Sequence, residues 1–362
     1  MAQEGKRIGV TAVSHRVIRN LLDGVLEAAR ESGVPLEATH KVSQRIGDVP
    51  AGLDEVASND AVPTALDAGK IVGGTAWLWA RDDMVESLDI LFVDEAGQLS
   101  LAHTMGAARS ARNLILLGDP QQLEQPQRAA HPEGAEVAAL VHLLDGKKTL
   151  PDDRGLFLDV TWRLHPDICA FTSELYYEGR LHSLSGLERQ ALAGDTPFAG
   201  SGLFYVPVEH RGNASSSPEE VDAVRRIIEG LLVGGVVWID RKGDERPLDR
   251  GDVLVVAPYN AQVAALAERL PEGVRVGTVD RFQGQQAPIV IYSATSSCAE
   301  DAPRGMGFLY NPNRLNVAMS RARCACILVA SPQILEPDCR TPEQMRHANG
   351  LCRFRELARE VV

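Results

Sequence analysis

No apolar run in this sequence approaches the roughly 20 residues that a membrane-spanning helix requires. Stretches such as residues 114–117, 253–257 and 327–330 have only the length of strands. A charged-then-apolar leader with a small-residue cleavage site is also missing, so no secretion signal is read. Repeats and low-complexity tracts are absent, which excludes solenoids. Six cysteines are scattered without paired spacing, and a chain of this size needs no disulfide framework. Reduced thiols in a cytoplasm are the expectation. Nor is there an excess of positive charge: 37 Lys and Arg stand against 49 Asp and Glu, a net charge of −12. That balance argues against a protein coated in nucleic acid, although it does not decide whether a local groove binds phosphates.

What is present has an ordinary globular composition, 44% hydrophobic and 24% charged over 362 residues. That length suits two domains, each able to bury its own core. Short β-branched runs alternate with amphipathic stretches, the pattern of parallel α/β sheets. Strands are expected at residues 8–14, 71–75, 88–93 and 114–117, then at 156–160, 253–257, 274–279, 289–294 and 325–330. Helices are expected at 17–31, 99–109, 132–144, 166–176, 218–232, 261–270 and 313–322. The polar segment 145–154 marks a boundary, dividing the chain into domains 1–150 and 151–362, and residues 212–218 form a loop within the second. Residues 1–7 read as the last turn of a helix capped by Gly5, so a strand and helix are expected ahead of it.

The chemistry begins at Leu88-Asp-Ile-Leu-Phe-Val-Asp-Glu-Ala96, an apolar strand that delivers Asp94 and Glu95 at its carboxyl end. Ligands of open α/β sheets bind at that end. A Mg²⁺ on nucleotide phosphates takes one or two carboxylates, which suits Asp94, and Glu95 can polarise an attacking water. A carboxylate pair that merely caps the next helix is the other reading. Leu114-Ile-Leu-Leu-Gly-Asp-Pro-Gln-Gln122 repeats the layout: a buried strand, a turn containing Asp119, then amides that can sense a γ-phosphate.

The order Asp-Glu-Ala-Gly-Gln98, Gly-Asp-Pro-Gln-Gln122, Trp-Arg-Leu-His-Pro166, Ala-Pro-Tyr-Asn-Ala-Gln262, Thr-Val-Asp-Arg-Phe-Gln-Gly-Gln285 and Asn-Arg-Leu-Asn-Val-Ala-Met-Ser-Arg-Ala322 resembles superfamily 1B helicases. The Upf-type RNA helicases and Dna-type nuclease-helicases are the nearest subgroup, and the likeness runs from about residue 8 to residue 330. It implies two RecA-like lobes of the P-loop NTPase class, the first incomplete at its N-terminus. It implies that Asp94, holding Mg²⁺, and Glu95 form the Walker B pair, and that Asp119 and Gln122 sense the phosphate state. Trp162, where the family usually has Tyr, would stack near adenine, and Arg163 would reach the γ-phosphate of ATP. Gln283, Gly284 and Gln286 would approach the nucleotide; the family usually has Glu at the position of Gln286, which here keeps a ribose hydrogen bond but loses a charge. Arg321 would be an arginine finger from the opposite lobe.

For a single strand of DNA or RNA the resemblance points to Ser14, His15, Thr75, Asn260 and Thr278, small groups at strand ends that suit phosphate contacts. Helix capping accounts equally well for Ser14 or Thr75. Core packing is expected of Trp77 and Trp79, with a stacking surface as the alternative. Cys324 and Cys326 share one strand face, and a metal role for them is not expected.

One part of such a motor is missing. No Gly-x-x-x-x-Gly-Lys-Ser/Thr occurs, and Gly146-Lys147-Lys148 lacks both the glycine spacing and the hydroxyl. The loop is expected on an upstream segment, with or without a nuclease. The reading is therefore a helicase motor core with inherited 5′-to-3′ translocation, inactive alone; the alternative is a non-catalytic nucleic-acid-binding or regulatory remnant.

Overall fold

Strand–helix alternation builds two units, Met1–Lys147 and Lys148–Val362, in a computed structural model that describes residues 1–44, 47–123, 137–282 and 284–362. The first unit runs β1 (Ile8–Thr11), α1 (His15–Glu31), β2 (Ala38–Lys41), β3 (Leu53–Val56), α2 (Ala61–Asp67), β4 (Ile71–Gly73) and α3 (Ala76–Trp79). It continues through β5 (Leu88–Val93), α4 (Leu101–Ala108), β6 (Ala111–Leu116) and α5 (Ala139–Leu144). Its six strands lie parallel in the order β3-β2-β4-β1-β5-β6.

Helix α1 shows why the unit holds together. Ser14 caps it by accepting from the Val17 amide at 3.3 Å, and Ile18, Leu22 and Leu26, one face at helical spacing, are buried against the sheet. Each such side chain contributes about 1.5–3 kcal/mol. Trp79, fully buried, donates its indole N–H to the Val10 carbonyl at 3.1 Å, so its polar tip is satisfied inside the core.

The second unit runs β7 (Val160–Thr161), α6 (Pro166–Tyr176), β8 (His182–Ser183), β9 (Ala191–Ala193), β10 (Gly202–Pro207), α7 (Pro218–Val233), β11 (Val237–Ile239) and β12 (Glu245–Pro247). There follow β13 (Val253–Val256), α8 (Asn260–Arg269), β14 (Arg275–Gly277), β15 (Ala287–Ser293), α9 (Met306–Leu309), α10 (Pro312–Met319), β16 (Ala322–Ala330), α11 (Pro342–Leu357) and β17 (Arg359–Glu360). The main sheet is again parallel and six-stranded, β14-β13-β15-β16-β10-β17. Its central strands β13, β15 and β16 are buried along nearly their whole length, as near-continuous apolar runs covered on both faces should be. A three-stranded sheet, β12-β11-β9, stands beside it.

Three expectations are corrected. Residues 156–160 form no strand until Val160, and Leu156 and Leu158 are exposed; apolar alternation there finds no sheet partner. Residues 114–117 are not a buried strand, because β6 is the last strand of its sheet and Leu114 and Leu117 are exposed. Trp77 is outside the core at 75% exposure, its ring edge-on to His103. The expected helix 132–144 falls partly outside the described residues, with α5 covering its end. Among the described residues no helix is long and apolar enough to cross a membrane.

Candidate functional site

In the first unit the chain leaves β1 toward β2 and leaves β5 in the opposite direction, toward β6. The carboxyl ends of β1 and β5 therefore flank a topological switch point, where ligands of parallel sheets bind. Asp94 follows β5 there, its amide donating to the Thr11 carbonyl at 2.8 Å. Burial raises the Asp94 carboxyl above its ordinary range, offset in part by the Glu95 amide that its Oδ1 accepts at 2.9 Å. A carboxylate so desolvated gains from a nearby cation. Glu95 sits at φ 52°, left-handed backbone that costs a non-glycine residue about 1 kcal/mol or more. Its Oε2 accepts from Gln98 Nε2 at 3.0 Å.

The neighbouring strand end is tied to this one. The Ala96 amide donates to the Leu117 carbonyl at 2.8 Å, and Gly97 lies so close to the Asp119 carbonyl that any Cβ would strike it. Asp119 then accepts from the Gln121 amide at 2.9 Å and from Gln122 Nε2 at 3.0 Å. Asp94, Glu95, Asp119 and Gln122 thus share one edge of one sheet. Ser14, His15 and Thr75 follow β1 and β4 on that same edge. Ser14 spends its hydroxyl on the cap of α1, whereas Thr75, ahead of α3, makes no side-chain cap bond.

In the second unit the candidates divide between the two edges of the sheet. Asn260 and Thr278 follow β13 and β14 at the carboxyl edge; Asn260 is exposed and Thr278 half-buried. Arg163, Gln286 and Arg321 gather at the amino edge of β15 and β16. Arg163 Nε donates to Gln286 Oε1 at 3.0 Å and its Nη1 to the Ser320 carbonyl at 2.9 Å. Burial and the neighbouring Arg323 both lower the Arg163 guanidinium pKa, so an anion placed there would be stabilised. Gln190, which the motifs did not single out, donates to the carbonyls of both Arg163 and Arg323. Arg321 is 4% exposed, its carbonyl accepting from Ala287 N at 3.0 Å. Trp162 is 67% exposed, a surface ring and not a core one. Gly284 has φ 76° with open space around it, and Gln283 lies outside the described residues.

The carboxyl edge also holds a buried network that the sequence did not announce. The chain leaves β13 toward β14 and β15 toward β16, so this is the switch point of the second unit. Glu220, fully buried on α7, accepts from Ser293 Oγ at 2.5 Å, from the Thr295 amide at 2.8 Å and lies 3.0 Å from His210 Nε2. His210 Nδ1 meets Ser297 Oγ at 2.8 Å. Thr295 is held at φ 76°, a conformation that a β-branched residue adopts only under constraint. Glu220→Ala is expected to destabilise the second unit by about 3–5 kcal/mol, because it strands several buried partners at once. Urea unfolding monitored by tryptophan fluorescence measures this, and a loss below about 1 kcal/mol would show that the loop holds its shape without Glu220.

Among the described residues no cluster of three or more His, Cys, Asp or Glu side chains is placed to hold a metal. Cys324 and Cys326 are fully buried in β16, and burial pushes both thiols up, which suits packing.

A family model described as "AAA domain" matches residues 140–333. The chain is 26% identical over 338 residues to the probable helicase MAGATAMA 3 of Arabidopsis thaliana, covering 86% of this chain and 39% of that protein. It is 27% identical over 285 residues to the mouse 3′-5′ exoribonuclease HELZ2, covering 68% of this chain and 9% of that one. Among solved structures, an arterivirus nonstructural protein 10 (helicase) in complex with DNA matches with a TM-score of 0.47 and 14% identity, over 92% of this chain and 58% of that one. The chain thus spans well under half the length of these two relatives.

Proposed function

This chain belongs to the AAA domain family, and on that premise we propose that it is the motor core of an ATP-dependent superfamily 1B helicase moving 5′ to 3′ on single-stranded DNA or RNA. The observation that carries the reading is the pair of tied strand ends in the first unit, where Asp94-Glu95 and Asp119-Gln122 meet at a switch point. Two carboxylates on one strand end and a sensing amide on the next are what nucleotide hydrolysis needs on one side of the phosphates. Asp94 fits a Mg²⁺ because its single, desolvated carboxylate matches an ion that keeps waters and phosphates as its other ligands. When bound, that ion would neutralise phosphate charge. Glu95 would orient the attacking water, Arg163 and Arg321 would meet phosphate charge, and Trp162 would offer a face to the base.

A second reading, a non-catalytic nucleic-acid-binding or regulatory remnant, is favoured by the lack of any Gly-Lys-Ser/Thr loop in the 362 residues. A segment carrying that loop, with or without a nuclease, is the partner that the first reading requires.

The motor reading demands a nucleic-acid face, and fluorescence anisotropy with labelled oligothymidylate and oligouridylate tests it. Binding is expected to weaken with salt at a log–log slope of about −0.7 per phosphate contacted. Asn260→Ala combined with Thr278→Val is expected to reduce affinity several-fold. Absence of binding at low salt would reject the nucleic-acid assignment.

A further inference from the structure

His15, at the head of α1, faces a second histidine that the motifs did not single out. His15 Nδ1 lies 3.2 Å from His40 Nε2, with ring centroids 5.3 Å apart and planes tilted by 50°. His15 heads α1, which follows β1, and His40 lies in β2; β4 runs between β1 and β2, and its register sets His40 opposite Gly73. A Cβ at Gly73 would strike Ile18 and Leu22 of α1, so glycine is what lets the helix settle onto the sheet and bring its first residue to His40. His40 is fully buried, and its Nδ1 has no hydrogen-bond partner among the described residues. His15 is partly exposed.

The proton positions follow from this arrangement. Burial, with His15 and Arg19 nearby, lowers His40 to about 4, and burial with Lys41 lowers His15. Both rings are therefore neutral at pH 7, each with one N–H and one lone pair. Buried backbone N–H groups left without an acceptor are rarer than under-satisfied carbonyls; by the same logic the arrangement favours the tautomer in which the orphaned Nδ1 of His40 keeps the lone pair and its Nε2 carries the proton. That N–H donates to His15 Nδ1. The proton of His15 is then confined to Nε2, the ring nitrogen not engaged with His40.

We propose that His40 is a positioning residue that fixes His15 as an outward Nε2–H donor to a backbone phosphate of the bound single strand. The proposal rests on the nucleic-acid reading above and adds to it the atom, the tautomer and the residue that enforces it. A ring fixed by a partner behind it loses little freedom on binding. Phosphate contact of this kind orients a strand without reading its sequence.

The test has two arms on the full chain. Long-range ¹H–¹⁵N correlation spectra report the tautomer of each histidine, and both are expected as Nε2–H, with His15 losing that preference in His40→Leu. In anisotropy titrations with labelled oligothymidylate and oligouridylate, His15→Ala is expected to weaken binding about tenfold, the weight of one hydrogen bond to a charged group. His15→Gln, whose amide nitrogen reaches as far as Nε2, should recover most of it. Inorganic phosphate or AMP at millimolar concentration should not displace the oligonucleotide, which separates a phosphodiester strand from a free phosphate as the ligand. An Nδ1–H tautomer at His15 in the wild-type chain overturns the proposal, as does oligonucleotide affinity unchanged by His15→Ala, and either leaves the nucleic-acid reading standing. A wild-type chain that binds no oligonucleotide overturns that reading and the phosphate contact with it.

Discussion

Purified as its 362 residues, the protein is expected to hydrolyse ATP no faster than its own Glu95→Gln variant, with or without a single strand present. The carboxylates that would act on Mg²⁺ and water are in place at the end of β5, and Asp94 is desolvated as a cation ligand can be. What the 362 residues lack is the run of backbone amides and the lysine that cradle β- and γ-phosphates. Without that cradle the phosphates are held by few groups, and phosphoryl transfer depends almost wholly on positioning and charge. A form that includes a segment with the loop should show turnover stimulated by single strands and abolished by Glu95→Gln. Steady-state phosphate release measures both. Strand-stimulated hydrolysis by the 362 residues alone, lost in Glu95→Gln, would overturn the requirement.

Legibility in the sequence tracked apolar continuity, not burial alone. Strands β5, β13, β15 and β16 were readable because each carries a mainly apolar, mainly buried run, with Asp89 of β5 and Arg323 of β16 as the charged exceptions. Strands β2 and β3 were not: Ala-Thr-His-Lys is polar at three of four positions although Ala38, Thr39 and His40 are buried, and Leu-Asp-Glu-Val lies at the sheet edge, where period and propensity say little. The same limit hid His40, which lies in β2 as one polar residue among others. Glu220 was hidden differently. Acidic residues after a Ser-Pro helix start are ordinary, and nothing local announces that this one is buried against a strained threonine 75 positions later.

Motif spacing located the candidate residues but not which edge of the sheet each occupies. Thr278 follows β14 at the carboxyl edge, whereas Gln286 precedes β15 at the amino edge. One continuous motif therefore crosses the thickness of the sheet, separating a residue proposed for nucleic acid from one proposed for nucleotide. Gln286 is also more than a ribose candidate. Its side-chain carbonyl braces Arg163, which the Ser320 carbonyl holds from the other side, so a motif residue read for its contact with ligand also orients a second motif residue 123 positions away.

In a form of the protein that carries the phosphate loop, Arg321→Ala is expected to cut ATP turnover by roughly 10³–10⁵-fold while leaving nucleotide affinity nearly unchanged. A finger acts on charge that develops as the γ-phosphoryl group is transferred, so its loss falls on kcat and not on ground-state binding. Arg321→Lys should recover little of the rate, because an ammonium keeps the charge but not the planar fork of donors. The burial of Arg321, at 4% exposure beside the start of β15, sets a competing outcome. A guanidinium packed at a strand end can hold the unit together without touching nucleotide, and its removal would then lower stability. Thermal melting of both variants separates the two cases. Unchanged melting with a collapsed kcat identifies the finger. A lowered melting temperature with turnover per folded molecule intact makes Arg321 structural, and weakened nucleotide binding at constant kcat makes it a ground-state clamp. Arg163 is the contrast, since Gln286 and Ser320 already brace its guanidinium at the same edge. If Arg321 proves structural, Arg163, already braced at that edge, is the next candidate for the contact with the transferring phosphoryl group.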